Sequence, residues 1–170
     1  QTGKKVSLPR GLCARKEYDT LLIGFLRADK KPDYEYPIII PGTVDLKERG
    51  IILSSRLLCG KEVDFSDPAR IYMDRDRIQE PLVIRNRRKG DWFQPLGTCG
   101  KQKIKKLFID RKIPPARRET TALIADRESV LWIENLHLCE RVKVSAKTKQ
   151  VVVLEMCCST AQAPPAQENI

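Results

Sequence analysis

Basic side chains concentrate between residues 85 and 118. This stretch holds twelve Lys and Arg residues against two acids, Asp91 and Asp110, so its net charge is +10, as large as that of the whole 170-residue chain. The remaining residues sum to zero charge. Charge focused in one stretch is typical of a site for a polyanion, whereas evenly spread charge mainly affects solubility. The pattern therefore favours contacts with phosphates, as in nucleic-acid binding.

Three successive elements are predicted to carry these cations. Arg85, Arg87 and Lys89 continue a strand and are expected to project from one of its faces. A helix is predicted over residues 101–112, because apolar residues recur there at helical spacing. These apolar residues, which we assign to the core, are Ile104, Leu107 and Phe108. Arg117-Arg118 follow the helix, so three basic runs can converge on one surface.

Two features of this stretch admit alternative interpretations. The helix is either a phosphate-contacting element or an ordinary solvated face, but an ordinary face mixes charge signs and Asp110 is its only acid. Trp92 and Phe93 either stack on bases and sugars or pack in the core. Gly90 and Gly97 are assigned to backbone geometry, as at turns.

Most catalytic and metal chemistries find no support in the sequence. The six cysteines have no C-x-x-C spacing and His137 is the only histidine, so we expect reduced thiols, no metal site and no catalytic residue. No apolar run approaches the roughly 20 residues of a membrane span and no secretory pattern is present, which favours a cytoplasmic location. The residues alone indicate a basic binding module.

The order of predicted elements indicates an α+β fold dominated by strands. Single strands are predicted from β-branched and aliphatic runs at 21–26, 38–40, 51–53, 69–73 and 82–84. Two hairpins are predicted, one joining 123–125 to 130–133 and the other joining 142–145 to 151–154.

Proline and polar residues suggest where the helices begin and end. Thr98 and Gly100 are candidate capping positions for the first helix, and Pro114-Pro115 ends it. A short second helix is predicted to start at Pro115, since proline is favoured at the first helical position. Residues 159–170 are rich in Ala, Gln and Pro, so this tail is expected to be disordered.

Two motifs resemble a known family. They are Arg85-x-Arg87-x-x-Gly90-Asp91 and Phe108-Ile109-Asp110-x-Lys112-Ile113-Pro114. Together with Pro95-Leu96-Gly97 and Arg117-Arg118, they resemble the C-terminal domain of bacterial tRNA(Ile)-lysidine synthetases. Trp92 departs from the pattern, because many members carry a basic residue there.

The resemblance implies a function and a division of the chain. The family is an ATP-dependent ligase that attaches lysine to the wobble cytidine of tRNA(Ile). The chain lacks the Ser-Gly-Gly-x-Asp-Ser loop of the catalytic domain, so it is expected to be inactive alone and to hold no cofactor, ATP and magnesium belonging to that absent domain. The implied partners are tRNA(Ile) and the N-terminal catalytic domain, with no membrane. Two small subdomains are expected, 1–78 as the end of the preceding domain and 79–158 as a tRNA-binding domain similar to one in the phenylalanyl-tRNA synthetase β subunit.

The residues expected to contact RNA are all basic. They are Arg85, Arg87, Lys101, Lys103, Lys105, Lys106, Arg117 and Arg118. The alternative function is a non-catalytic interaction module whose basic face docks on an acidic protein or on a neighbouring domain.

Overall fold

A computed structural model describes residues 5–17, 20–25, 33–60, 63–67 and 69–158. Within these residues the fold is built mainly from antiparallel strands with two short helices, which confirms the predicted strand-dominated α+β class. The strands before residue 80 are β1 Lys5–Ser7, β2 Leu12–Glu17, β3 Thr20–Phe25, β4 Glu35–Pro37, β5 Gly42–Leu46, β6 Ile51–Cys59 and β7 Arg70–Asp74. The later elements are β8 Val83–Arg85, β9 Trp92–Phe93, β10 Gln102–Lys103, α1 Ile104–Asp110, α2 Pro115–Thr120, β11 Leu123–Ala125, β12 Val130–Ile133, β13 His137–Leu138 and β14 Gln150–Cys158.

The first three strands form a sheet of their own, in the order β1-β2-β3. Both pairings are antiparallel. Leu21 and Ile23 alternate with Leu22 along β3, and all three side chains are exposed. Apolar residues therefore reach solvent on both faces of β3, since successive side chains of a strand point to opposite faces.

A four-stranded sheet has the order β5-β6-β14-β7, with β14 pairing with β6 on one side and β7 on the other. Residues Val151–Leu154 of β14 are all buried, because this strand is central and covered on both faces. The predicted hairpin between 142–145 and 151–154 is wrong. Val142 instead belongs to a 3-10 turn at Glu140–Val142, and β14 finds its partners far away along the chain.

A five-stranded sheet has the order β13-β12-β11-β8-β4. The predicted hairpin of β11 and β12 is confirmed, and the Asp126 carboxylate closes its turn by accepting the amides of Glu128 and Ser129. The run 38–40, predicted as a strand, lies between β4 and β5. There Ile38 donates one backbone hydrogen bond to Leu82 while Ile39 is exposed.

The four- and five-stranded sheets share one hydrophobic core. Leu53 and Leu154 from one sheet join Ile84 and Leu131 from the other in a single buried cluster. Arg49, after β5, also forms two hydrogen bonds of 2.9 and 2.6 Å with Glu134, after β12. The boundary expected between 78 and 79 thus crosses a shared core, because β4 pairs with β8, and β6 and β7 both pair with β14. The tail at 159–170 lies outside the described residues.

Among the described residues, no helix combines the length and the apolar composition that a bilayer span requires.

Candidate nucleic-acid interface

Arg85 ends β8 and is buried, with 8% of its surface exposed. Its two terminal nitrogens donate to the two carboxylate oxygens of Asp91, each at 2.9 Å, and Nη1 also donates to the Asn86 carbonyl. Asp91 in turn accepts the Arg88 amide at 2.7 Å. Two parallel hydrogen bonds of this kind fix the orientation of the guanidinium and the carboxylate relative to each other. Arg85 therefore closes the loop 86–91 from within the protein.

Strand β8 ends at Arg85. The prediction that Arg85, Arg87 and Lys89 project from one face of a strand is therefore wrong. Asn86 is buried, accepts the Tyr34 amide and donates to the Glu119 carbonyl, each at 2.9 Å. This side chain ties the loop both to the segment before β4 and to the end of α2.

The two arginines that follow are paired with acids outside the basic stretch. The Arg87 guanidinium contacts the Glu119 carboxylate at 2.9 Å, and that of Arg88 contacts Glu35 at 2.6 Å. The net charge counted over residues 85–118 did not include these two acids. Glu119 lies one residue beyond the stretch and Glu35 lies fifty residues before it, and their contacts depend on the tertiary fold.

The hairpin of β9 and β10 separates the two aromatic residues. Lys103 pairs with Trp92 and Gln102 with Phe93 across it. Phe93 is fully buried, whereas Trp92 is half-buried, as expected when successive side chains of a strand point to opposite faces. The Lys101 ammonium lies 4.1 Å from the centroid of the Trp92 ring. Phe93 is thus the core residue, and Trp92 is the surface aromatic.

Helix α1 is shorter than the predicted 101–112, because Gln102–Lys103 form a strand before it. Thr98 and Gly100 do not cap it; the Ile104 amide instead donates to the Asp91 carbonyl at 3.0 Å. Its C-terminal end is set by Lys112, whose φ is 52°.

The apolar face of α1 matches the prediction, since Ile104, Leu107 and Phe108 are all buried. Lys105 and Lys106 are exposed on the other side. No carboxylate among the described residues lies within ion-pair distance of either ammonium.

The exposed Lys103 donates to the Gly90 carbonyl at 3.2 Å. Gly90 has a φ of 99°, a backbone conformation that glycine adopts without strain.

Helix α2 begins at Pro115, as predicted. Arg117 is exposed on its surface. Arg118 is half-buried and its Nε donates to the Ile113 carbonyl at 2.7 Å, which connects α2 to the segment after α1.

The predicted contact residues therefore occupy different environments. The exposed ones are Lys101, Lys103, Lys105, Lys106 and Arg117. Arg87 and Arg118 are half-buried, and Arg85 is internal. All six cysteines are free thiols. In the part of the chain that the structure describes, no group of three side chains forms a metal site.

Comparison with known proteins identifies the second half of the chain. Residues 82–155 match the family model of the TilS substrate C-terminal domain. These matched residues are called the TilS domain, after the model that they match. The resemblance to the C-terminal region of tRNA(Ile)-lysidine synthetases is thereby confirmed.

Curated relatives extend the similarity upstream of this TilS domain. A tRNA(Ile)-lysidine synthase of Caldanaerobacter subterraneus subsp. tengcongensis is 31% identical over 155 residues, which is 91% of this chain and 33% of the relative. A tRNA(Ile)-lysidine synthase of Dehalococcoides mccartyi is 28% identical over 159 residues, which is 90% of this chain and 33% of the relative. The chain spans about a third of the length of these relatives.

A solved structure shares the fold. The crystal structure of a TilS C-terminal domain superposes with a TM-score of 0.61 at 22% identity, covering 75% of this chain and 98% of that one. An N-terminal fragment of the phenylalanyl-tRNA synthetase β subunit from Pyrococcus horikoshii covers 54% of this chain with a TM-score of 0.43, which is too low to support an argument.

Proposed function

We propose that this chain is the tRNA-binding part of an enzyme that forms lysidine. The observation that carries the proposal is the group of exposed basic side chains without a carboxylate partner among the described residues. These side chains lie just before and on β10, on α1 and on α2 of the TilS domain. The complete protein is then an ATP-dependent ligase that acts on tRNA(Ile) in the cytoplasm. ATP and magnesium belong to its catalytic domain, and the present chain supplies binding without catalysis.

The proposed contacts fall into two classes. Lys101, Lys103, Lys105, Lys106 and Arg117 are exposed, so their charged groups reach phosphates without first breaking an ion pair with a carboxylate. Arg87 and Arg118 are half-buried and already hydrogen-bonded. Arg85 acts indirectly, because its pair with Asp91 holds the loop that leads into β9.

The chemistry of these side chains favours recognition of the RNA backbone. A lysine ammonium is a compact, strongly hydrated charge that attracts phosphates without reading bases. Double-stranded RNA is recognised largely by shape and through its phosphates and 2′-hydroxyls. Binding is therefore expected to weaken steeply with salt, with a log–log slope of about 0.7 to 0.9 for each phosphate contact.

The test compares the chain with Lys105→Glu/Lys106→Glu in binding to tRNA across a salt series. The double substitution is expected to lower the affinity at least about tenfold, because two phosphate contacts are lost and two repulsions are added. The loss of the two contacts is expected to reduce the salt slope by about 1.4 to 1.8. A matched control is Lys47→Glu/Lys149→Glu, which makes the same charge change at two exposed lysines outside the basic stretch.

The same titration with an acidic protein in place of tRNA distinguishes the alternative function. Preferential binding of the acidic protein, with no preference for tRNA, contradicts the proposal and favours a protein-docking face. Unchanged tRNA binding by Lys105→Glu/Lys106→Glu contradicts the assignment of α1.

A further inference from the structure

A cavity of about 260 Å³ lies beside the hairpin of β9 and β10. Its lining residues are Trp92, Lys101, Gln102 and Lys103. One tryptophan and two lysine side chains therefore line a single surface depression. This combination differs from the rest of the proposed interface, where the cations of α1 have no aromatic neighbour of this kind among the described residues.

The position of the indole is set by the fold. Phe93 is fully buried and anchors β9 in the core, so the adjacent Trp92 is directed to the surface. The partner strand is also fixed at both ends. The Gln102 side chain donates from Nε2 to the Asp110 carboxylate at 3.1 Å, and the Ile104 backbone amide donates to the Asp91 carbonyl at 3.0 Å. The strands that carry the ring and the lysines are thus held in place before any ligand binds.

We propose that this cavity binds one unpaired nucleotide of the RNA, with its base stacked on Trp92 and its phosphate held by Lys101 and Lys103. The inference rests on the proposed RNA-binding function and specifies the kind of nucleotide that this part of the surface takes. Bases inside a duplex are already stacked on their neighbours, so the ligand is a nucleotide of a single-stranded segment.

A bound nucleotide replaces the contact between Lys101 and Trp92. In the free protein the ammonium lies over the ring, a weak attraction at an exposed site. A nucleotide offers both groups a stronger partner, since the base stacks on the indole and the phosphate forms a charge-assisted hydrogen bond with the ammonium. Stacking on an aromatic ring tolerates any base, so the site adds affinity for unpaired RNA without sequence preference.

The test uses two RNA ligands and a protein with a single tryptophan. The chain has two tryptophans, so Trp132→Phe leaves Trp92 as the only indole. The ligands are a short blunt RNA duplex and the same duplex with an overhang of several nucleotides. The overhang is expected to quench Trp92 fluorescence and to raise the affinity about tenfold over the blunt duplex.

Substitutions of Trp92 in the otherwise wild-type chain separate stacking from a structural role. Trp92→Leu is expected to abolish the preference for the overhang while leaving binding of the blunt duplex unchanged, and Trp92→Phe is expected to keep most of the preference. Equal losses for both ligands, or binding of the overhang without quenching, would overturn the nucleotide site while leaving the RNA-binding function in place. Failure of the unsubstituted chain to bind either RNA would overturn both.

Discussion

The basic stretch contains two regions that look alike in the sequence and differ in the structure. In the first, from Arg85 to Arg88, each of the three guanidinium groups contacts a carboxylate, from Asp91, Glu119 or Glu35. In the second, from Lys101 to Lys106, the four ammonium groups are exposed and have no carboxylate partner among the described residues. Similar numbers of positive charges are thus paired with carboxylates in one region and remain available to a ligand in the other.

The difference follows from the chemistry of the two cations. Arginine has a planar group that matches a carboxylate with two parallel hydrogen bonds, and it is weakly hydrated, so it suits internal pairs. Lysine is strongly hydrated and keeps its charge in water while its stem covers apolar surface. Net charge in a stretch of sequence therefore overstates the charge that a polyanion meets.

The largest effect is expected on the free energy of unfolding, when the ion pair between Arg85 and Asp91 is broken. Asp91→Asn removes the carboxylate charge that forms two hydrogen bonds with the buried Arg85, and loss of one partner of a buried pair costs about 3 kcal/mol. Urea denaturation measures this decrease in the free energy of unfolding. The control is Asp110→Asn, an exposed acid in the same stretch, for which a change below about 0.5 kcal/mol is expected. Equal losses in the two variants would show that the Arg85 pair is not structural.

A smaller effect is expected on tRNA affinity, which should differ between a substitution in one region and a substitution in the other. Lys106→Gln and Arg88→Gln each remove one positive charge, so a purely long-range attraction would weaken equally in both. We expect Lys106→Gln to lower tRNA affinity several-fold and the salt slope by about 0.8, since a phosphate contact is lost. Arg88→Gln is expected to change the affinity less than twofold because Glu35 already pairs with that guanidinium. Filter binding across a salt series gives the affinity and its salt slope. A larger loss of affinity in Arg88→Gln than in Lys106→Gln would contradict the division into paired arginines and available lysines.

The smallest effect is expected from releasing an arginine. Glu119→Gln removes the partner of Arg87 and should raise tRNA affinity about twofold, because one more cation becomes available. Its effect on the free energy of unfolding should stay below about 1 kcal/mol, since Glu119 is largely exposed. Glu128→Gln is the matched control, an exposed glutamate beside Arg141 outside the basic stretch. A similar gain in that control would indicate a general charge effect.

Local patterns predicted most of the elements around the interface. The apolar spacing of Ile104, Leu107 and Phe108 indicated the buried face of α1, and Pro115 indicated the start of α2. Both features depend on residues a few positions apart. The start of α1 was predicted too early, because Gln102 and Lys103 are held as a strand by pairing with β9.

Patterns that depend on distant partners were not predicted. The run Val151–Leu154 indicated a strand, but its neighbours β6 and β7 are separated from it by about half of the chain. The roles of Trp92 and Phe93 stayed open in the sequence for a related reason. Alternation along a strand separates the two side chains, but only the surrounding fold decides which face is buried.

The sequence by itself determined the total charge, its concentration between residues 85 and 118, and the motifs of the TilS domain. These are properties of residue type and spacing, so no fold is needed to state them. The tertiary structure decided which of the cations remain available for a ligand. Charge adds along the chain, but ion pairing depends on distance in space, and Glu35 reaches Arg88 only because β4 pairs with β8.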